Sequence, residues 1–281
     1  KVVINATGVF AEEIIRMDQP KIEKMIQPSQ GVHIVLERRF LKSKHAILIP
    51  QTSDGRVLFA VPWKNYVVVG TTDTHIKKAS EEPKALNEEI DFILKNAAKY
   101  MSVKPKRDDI KSVFAGLRPL AATSNKQSTK EVSRSHKIDI SPSGLISVLG
   151  GKWTTYRKIA EDALNTAISI NKLKKKKCKT ERTKLFGFKR NVSWSDPMHV
   201  YGSMKKKVES LGGVNDNKSL SKKFYVSNNI IEWSIIHEMA LTVEDILARR
   251  TRCVFLDSKE SMRISPVVAQ KMADVLGEDD K

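Results

Sequence analysis

Three places in this chain combine residue types that could do chemistry. In Gly150-Gly151-Lys152-Trp153-Thr154-Thr155, two glycines leave backbone N–H groups unhindered, Lys152 adds a cation, and Thr154 and Thr155 add hydroxyls. They stand where apolar residues at helical spacing begin (Ile159, Ala160, Ala163, Leu164, Ala167, Ile168), and a helix N-terminus so equipped stabilises negative charge on a phosphate or another anion. The plainer alternative is that the glycines only permit a tight strand-to-helix turn. The passage is not a Walker A loop, because the first glycine and the four-residue spacing before Gly-Lys are absent. Arg118, in Ala115-Gly-Leu-Arg-Pro-Leu120, is expected between a strand and a proline that fixes the chain's exit, and Arg134 on a strand over 133–140. Arginines held on rigid backbone suit bidentate contact with phosphate or an oxyanion, or serve as structural salt-bridge partners. His33, two residues after Gly31 in a run of Ile and Val, is either a general base or a hydrogen-bonded residue of the core. The remaining histidines (45, 75, 136, 199 and 237) show no ligand spacing, and with Cys178 and Cys253 they form no zinc-type group, so no metal is expected.

These residues need elements to position them. Val2-Val-Ile-Asn5 followed by Ala6-Thr7-Gly8 reads as a short buried strand leaving into a loop, and Phe10 to Met17 as a helix, half of a β-to-α unit. From Gly31 to Asp73, the runs HIVLE, AILIP, RVLFAVP and YVVVG, separated by turn signals, predict an antiparallel sheet. A helix is expected over 84–101, where Leu86, Ile90, Ile93, Leu94, Ala97 and Met101 share a face behind Glu81, Glu82 and Pro83. Further strands are expected over 110–115, 133–140 and 145–149, the last running into the diglycine and its helix. Beyond the lysine run helices take over, with capping-box spacing at Thr242-Val-Glu-Asp245 and Arg249, Arg250 and Arg252 at the carboxyl end of that segment.

The composition narrows the class. With 281 residues, 40% hydrophobic and 29% charged, the chain can bury a sizeable core, and no apolar run approaches a membrane span. Neither an initiator Met nor a signal peptide opens it, which reads as the later part of something longer, and the cysteine usage suits a reducing compartment. The net charge of +18 would by itself suggest a polyanionic partner. Much of it is local, however: KLKKKKCKTERTK at 172–184 carries eight bases and one acid, whereas 185–281 balances fifteen bases against thirteen acids. Such a block reads as a solvated linker or as attraction to anionic lipid. No interleaved aromatic platform supports nucleic-acid binding.

Taken together, Asn5-Ala-Thr-Gly8, Gln30-Gly-Val-His-Ile34, Gly70-Thr-Thr-Asp73, Ala115–Leu120, Ser133-Arg-Ser-His136, Gly150–Arg157 and His237–Arg252 resemble, in order and spacing, the FAD-dependent glycerol-3-phosphate dehydrogenases along nearly the whole chain. The resemblance implies an α+β fold. An antiparallel-sheet substrate domain with the remnant of an FAD-binding α/β domain would occupy 1–171, a basic linker 172–191 and an all-α domain 192–281. It implies FAD as cofactor, contacted by Ala6, Thr7, Gly8, Gly150, Gly151, Lys152, Thr154 and Thr155. Oxidation of sn-glycerol 3-phosphate to dihydroxyacetone phosphate would follow, with His33 as base, Arg118 at the alkoxide or phosphate, and Arg134 and Lys152 holding substrate. Electrons would pass to a membrane quinone from an enzyme peripheral on the inner, cytoplasmic face of the cell membrane. An oxygen-using glycerol-3-phosphate oxidase, a related D-amino-acid-oxidase-like flavoenzyme and a non-enzymatic basic binding module are the alternatives. The 13 glycines contain no G-x-G-x-x-G for the FAD pyrophosphate, so this chain by itself is expected to hold FAD weakly or not at all and to have no turnover.

Overall fold

The computed structural model describes residues 1–122 and 136–278. Its centre is a six-stranded sheet built on β2 (Ile26–Glu37), with β3 (Ile47–Ile49), β4 (Leu58–Trp63) and β5 (Tyr66–Gly70) stepping away on one side. Short β6 (Thr74–His75) continues β5's side, while β7 (Ser112–Ala121) pairs along β2's other edge from Ile26 to Val35. Every pairing within this sheet is antiparallel. Both faces are covered around β2 and β5, whose runs read as near-continuously apolar, while Leu48, Phe59 and Val61 of β3 and β4 lie exposed on one face. On one face Val32, Ile34 and Leu36 pack with Phe40, Val67 and Val69 against Ile93 and Ala97 of α2 (Asn87–Ala97).

On the opposite face Val35 and Tyr66 share a core with the carboxyl-terminal helices, through Phe224, Ile231, Ile246, Leu256, Ile264 and Val268. Those helices are α5 (Asn228–Glu238), a π-wound turn at Asp245–Arg250, α6 (Cys253–Leu256) and α7 (Ser258–Leu276). Fully burying each such aliphatic side chain contributes about 1.5–3 kcal/mol, so sheet and helices stabilise one another. Polar clasps fix their register. Ser112 Oγ donates to the Val254 carbonyl (2.6 Å), Ser258 N donates to the Lys111 carbonyl (3.0 Å), and buried Asp257 accepts from Lys223 Nζ (2.6 Å) while capping α7 at Glu260 N. The expected cap at Thr242 forms in both directions, Asp245 N donating to Thr242 Oγ1 and Thr242 N to Asp245 Oδ2.

A second, three-stranded sheet has β1 (Ile4–Asn5) parallel to β9 (Ile146–Gly150), which pairs antiparallel with β8 (His136–Ile140). The helices α1 (Ala11–Asp18) and α3 (Tyr156–Ile170) flank β9. Only Ala163 and Ala167 of α3 are buried, and Leu164 lies exposed. Residues 171–198 carry neither strand nor helix, and α4 (Lys205–Glu209) follows a short 3-10 segment. The structure is thus α+β, with helices dominating the carboxyl-terminal part.

Two expectations need correction. The strand over 110–115 runs on to Ala121, so Arg118 lies inside a strand and not after one; Pro119 is tolerated there because β7 is hydrogen-bonded on one side only. The helix expected at Gly151 begins at Tyr156, after extended Lys152 and a 3-10 turn at Trp153–Thr155, because both glycines hold positive φ (69° and 92°) that no helix can use.

Candidate functional site

The pairing register decides what shares a face. Ser29 lies opposite Arg118, Gly31 opposite Gly116 and His33 opposite Phe114, so His33 and Arg118 point from one face with a pair of glycines between them. A side chain at Gly31 would strike the Arg118 guanidinium, its Cβ falling 2.3 Å from Nη2, whereas one at Gly116 would meet nothing within 4 Å. The glycine pair therefore leaves a shelf, and the guanidinium lies across its Gly31 side. Arg118 Nη2 donates to Thr71 Oγ1 (3.0 Å) and to the Thr72 carbonyl (3.1 Å), and Nη1 stands 3.7 Å from Asp73 Oδ1. The residues that hold it form the break between β5 and β6, a stretch to which the sequence reading gave no role.

His33 is half-buried, stacked on Phe114 with ring centroids 5.1 Å apart; Phe114 in turn meets Phe255 of α6 edge-on at 5.2 Å. The carboxyl-terminal helices thereby brace the histidine. Burial, and then the positive charge of Arg118, hold the His33 pKa below the ordinary histidine value. The imidazole is consequently neutral near pH 7, the form that accepts a proton.

Arg118 also belongs to a cleft of about 510 Å³ between β7 and the start of α3, lined by Leu117, Pro119, Gly150, Gly151, Lys152 and Trp153, among others. The structure thus brings Arg118, Gly150, Gly151 and Lys152 together on one cleft. Gly151 could not carry a side chain, since its Cβ would fall 2.6 Å from Ile159 Cδ1 at a φ of 92°. Lys152 is exposed at the rim, and Trp153, 86% exposed, stacks on Tyr156 at 5.6 Å. Thr154 and Thr155 are exposed and lie outside the lining; Thr155 Oγ1 donates to the Lys152 carbonyl (3.0 Å) and closes the turn. His33 is not part of the lining either, standing two rungs further along the sheet.

Ala6, Thr7 and Gly8 leave the carboxyl end of β1 beside that of β9, the end of parallel strands where ligands bind in α/β sheets. Buried Asn5 shapes this loop, its side chain donating to the Ala11 carbonyl (2.9 Å) and accepting from Thr7 Oγ1 (2.8 Å). The 3-10 turn Gly8–Phe10 packs on β7 and β9, which brings the loop to the neighbourhood of the cleft. Arg134 lies outside the described residues. Both cysteines are free thiols, and no group that could hold a metal ion exists among the described residues. No described helix is long and apolar enough to cross a membrane.

Comparison with known proteins identifies the family. The model of the FAD dependent oxidoreductase family matches residues 1–157, and that of the C-terminal domain of alpha-glycerophosphate oxidase matches 146–281. The mitochondrial glycerol-3-phosphate dehydrogenase of Mesocricetus auratus is 35% identical over 97% of this chain, and its human counterpart 34% over 100%. This chain spans 40% and 42% of the lengths of those two relatives. The crystal structure of the glycerol-3-phosphate dehydrogenase from Bacillus halodurans complexed with FAD superposes with a TM-score of 0.75 at 26% identity, covering 99% of this chain and 59% of that one.

Proposed function

The chain belongs to the family of FAD-dependent oxidoreductases, in its glycerol-3-phosphate dehydrogenase branch, and we propose that it carries the substrate side of a site that oxidises sn-glycerol 3-phosphate to dihydroxyacetone phosphate. The observation that carries this reading is the convergence of Arg118 with Gly150–Lys152 on one cleft, with neutral His33 on the same sheet face as Arg118. The residues present fit the ring end of FAD. The cleft is flanked by Leu117, Pro119 and Trp153, its glycines bring backbone without side chains to its wall, and no side chain of the described residues fills it. Held there by Gly150, Gly151 and Lys152, FAD would supply the acceptor for the hydride leaving substrate C2.

This chain's own residues supply the rest. His33 takes the C2 hydroxyl proton at an imidazole nitrogen, which its depressed pKa leaves free to accept. Arg118 presents a charge already oriented by Thr71, Thr72 and Asp73 to the phosphate or to the oxyanion developing at C2, with no reorganisation during the reaction. Arg134 is proposed for the same pair of tasks. The diglycine N–H groups, Lys152 and the amino end of α3 favour negative charge on a ring placed beside them, and Ala6–Gly8, Thr154 and Thr155 complete the cofactor contacts.

Electrons then leave to a quinone in a membrane that the protein meets peripherally; relatives named as mitochondrial favour a mitochondrial membrane over the cell membrane. The surface at 172–202 suits this contact, with Lys172, Lys174–Lys177, Lys179 and Arg182 beside exposed Leu185, Phe186, Phe188 and Trp194. Bases attract anionic headgroups while aromatics settle at the interface. The deciding experiment follows glycerol-3-phosphate-dependent reduction of a quinone analogue by the full-length protein, with peroxide monitored in parallel. Quinone reduction with little peroxide is expected. Fast peroxide formation would make it an oxidase, and no reaction with either acceptor would remove the substrate assignment.

A further inference from the structure

Glu89 is a buried carboxylate, 5% exposed, on the first turn of α2, on the sheet face opposite the cleft. Four neutral donors satisfy it. Thr72 Oγ1 (2.8 Å) and Thr74 Oγ1 (2.6 Å) donate to Oε1, and Gln30 Nε2 (2.7 Å) and Leu86 N (3.0 Å) donate to Oε2. No ion pair reaches it among the described residues. A charge desolvated in this way is costly unless every lone pair is used, and a helix tip alone asks for only the Leu86 contact. The other three bonds reach into the sheet, two of them to the Thr71–Thr74 segment.

That segment alternates between faces as extended chain must. Thr72 and Thr74 turn their hydroxyls to Glu89, while Thr71 turns its hydroxyl and Asp73 its carboxylate to Arg118. Thr72 joins the two sides. Its hydroxyl also accepts from Val32 N (2.9 Å) on β2, and its carbonyl accepts from Arg118. On the cleft face the segment is held further by Ser29 Oγ donating to Asp73 Oδ1, while Arg56, whose guanidinium lies over Phe92 of α2, donates through Nη1 to the Asp73 carbonyl.

We propose that Glu89 is a positioning residue of the active site, acting through the sheet to fix the Thr71–Asp73 cradle and with it the aim of the Arg118 guanidinium. The inference takes the proposed site as its premise. It extends that site to the face of the sheet opposite the cleft.

The test uses the full-length, FAD-loaded protein. Glu89→Gln keeps the shape but replaces one acceptor oxygen by an NH2 that must face donors, either the two threonine hydroxyls or the Gln30 and Leu86 N–H groups, and it is expected to lower kcat/KM for glycerol 3-phosphate about tenfold and to weaken dihydroxyacetone phosphate binding, read by calorimetry, about as much. In an Arg118→Ala background the same substitution should cost less than about twofold, since the group it positions is gone. Thr72→Val should reproduce the loss, and Thr72→Ser, which keeps the hydroxyl, should stay within about twofold of the parent. Thermal unfolding of each variant ensures that assays are run on folded protein. A loss from Glu89→Gln that is equally large with and without Arg118, or a Thr72→Ser variant as impaired as Thr72→Val, would overturn the positioning role. If Arg118→Ala alone changed neither turnover nor product affinity, the reading of the site would fall, and this inference with it.

Discussion

Arg118 and the Gly150–Lys152 turn line one cleft, but the first is a side chain locked by partners from the β5–β6 break, whereas the second is bare backbone at positive φ with an exposed lysine beside it. The sheet side is rigid before any ligand arrives, with apolar cores on both faces. The turn side has Trp153 exposed and α3 buried only along two alanines. One wall carries fixed charge, and the other offers N–H groups and space. Substitutions that disturb preorganisation should therefore act through the sheet, and those that disturb cofactor fit through the turn.

The largest effect should come from His33→Gln, expected to lower kcat by about a thousandfold in the full-length protein if the imidazole is the general base. The pH profile sharpens this. Activity needs neutral His33, so kcat/KM should fall as pH drops through its pKa, with that limb below the ordinary histidine value of about 6.5. Next is Arg118→Ala, which should cost about a hundredfold in kcat/KM. It should also move the acid limb upward, because one of the two influences depressing the His33 pKa is removed; a limb that stayed put would break the proposed coupling. Gly31→Ala should cost about tenfold, since its methyl would occupy the place of Arg118 Nη2, while Gly116→Ala, in open space, should be milder. Equal losses from both would mean that Arg118 does not lie across Gly31 in solution. The smallest effect should follow replacement of Lys174, Lys175, Lys176, Lys177 and Lys179 by Gln: kcat/KM with a soluble acceptor should stay within about twofold, while sedimentation with anionic vesicles weakens, each lysine near a membrane contributing about 1 kcal/mol.

Much of this was readable from the residues, because the controlling patterns are local. Runs such as Tyr66–Val69 and Ile34–Leu36 declare themselves as strands, and Gly150-Gly151 announces a turn that only glycine can make. What escaped the sequence depends on register. Gly31 and Gly116 look like weak points in two strands until the pairing sets them opposite one another and they become a shelf. Nothing in the sequence sets Glu89 apart from its neighbour Glu88; only the packing of α2 shows its carboxylate reaching Thr72 and Thr74. The sequence sets Arg118 between a strand ending at Ala115 and the exit fixed by Pro119, yet the strand runs through both, because an edge strand does not need the N–H that proline lacks. The relation between sheet and helices was also hidden, since nothing in the helical segment's spacing says that Phe255 will brace the ring beneath His33.

The clasp between Ser112 and Val254 joins residues 142 positions apart, and the face bearing Val35, Tyr66 and Phe114 is closed by residues from Phe224 onward. During synthesis this face must therefore wait, uncovered, while more than a hundred further residues emerge, at a pace of about 5–20 residues per second. For several seconds the nascent chain presents an apolar surface in the cell before its lid exists. The helices that complete the core thus also set when the polypeptide becomes safe to release, and a ribosome stalled between Ala121 and Phe224 would expose an aggregation-prone sheet.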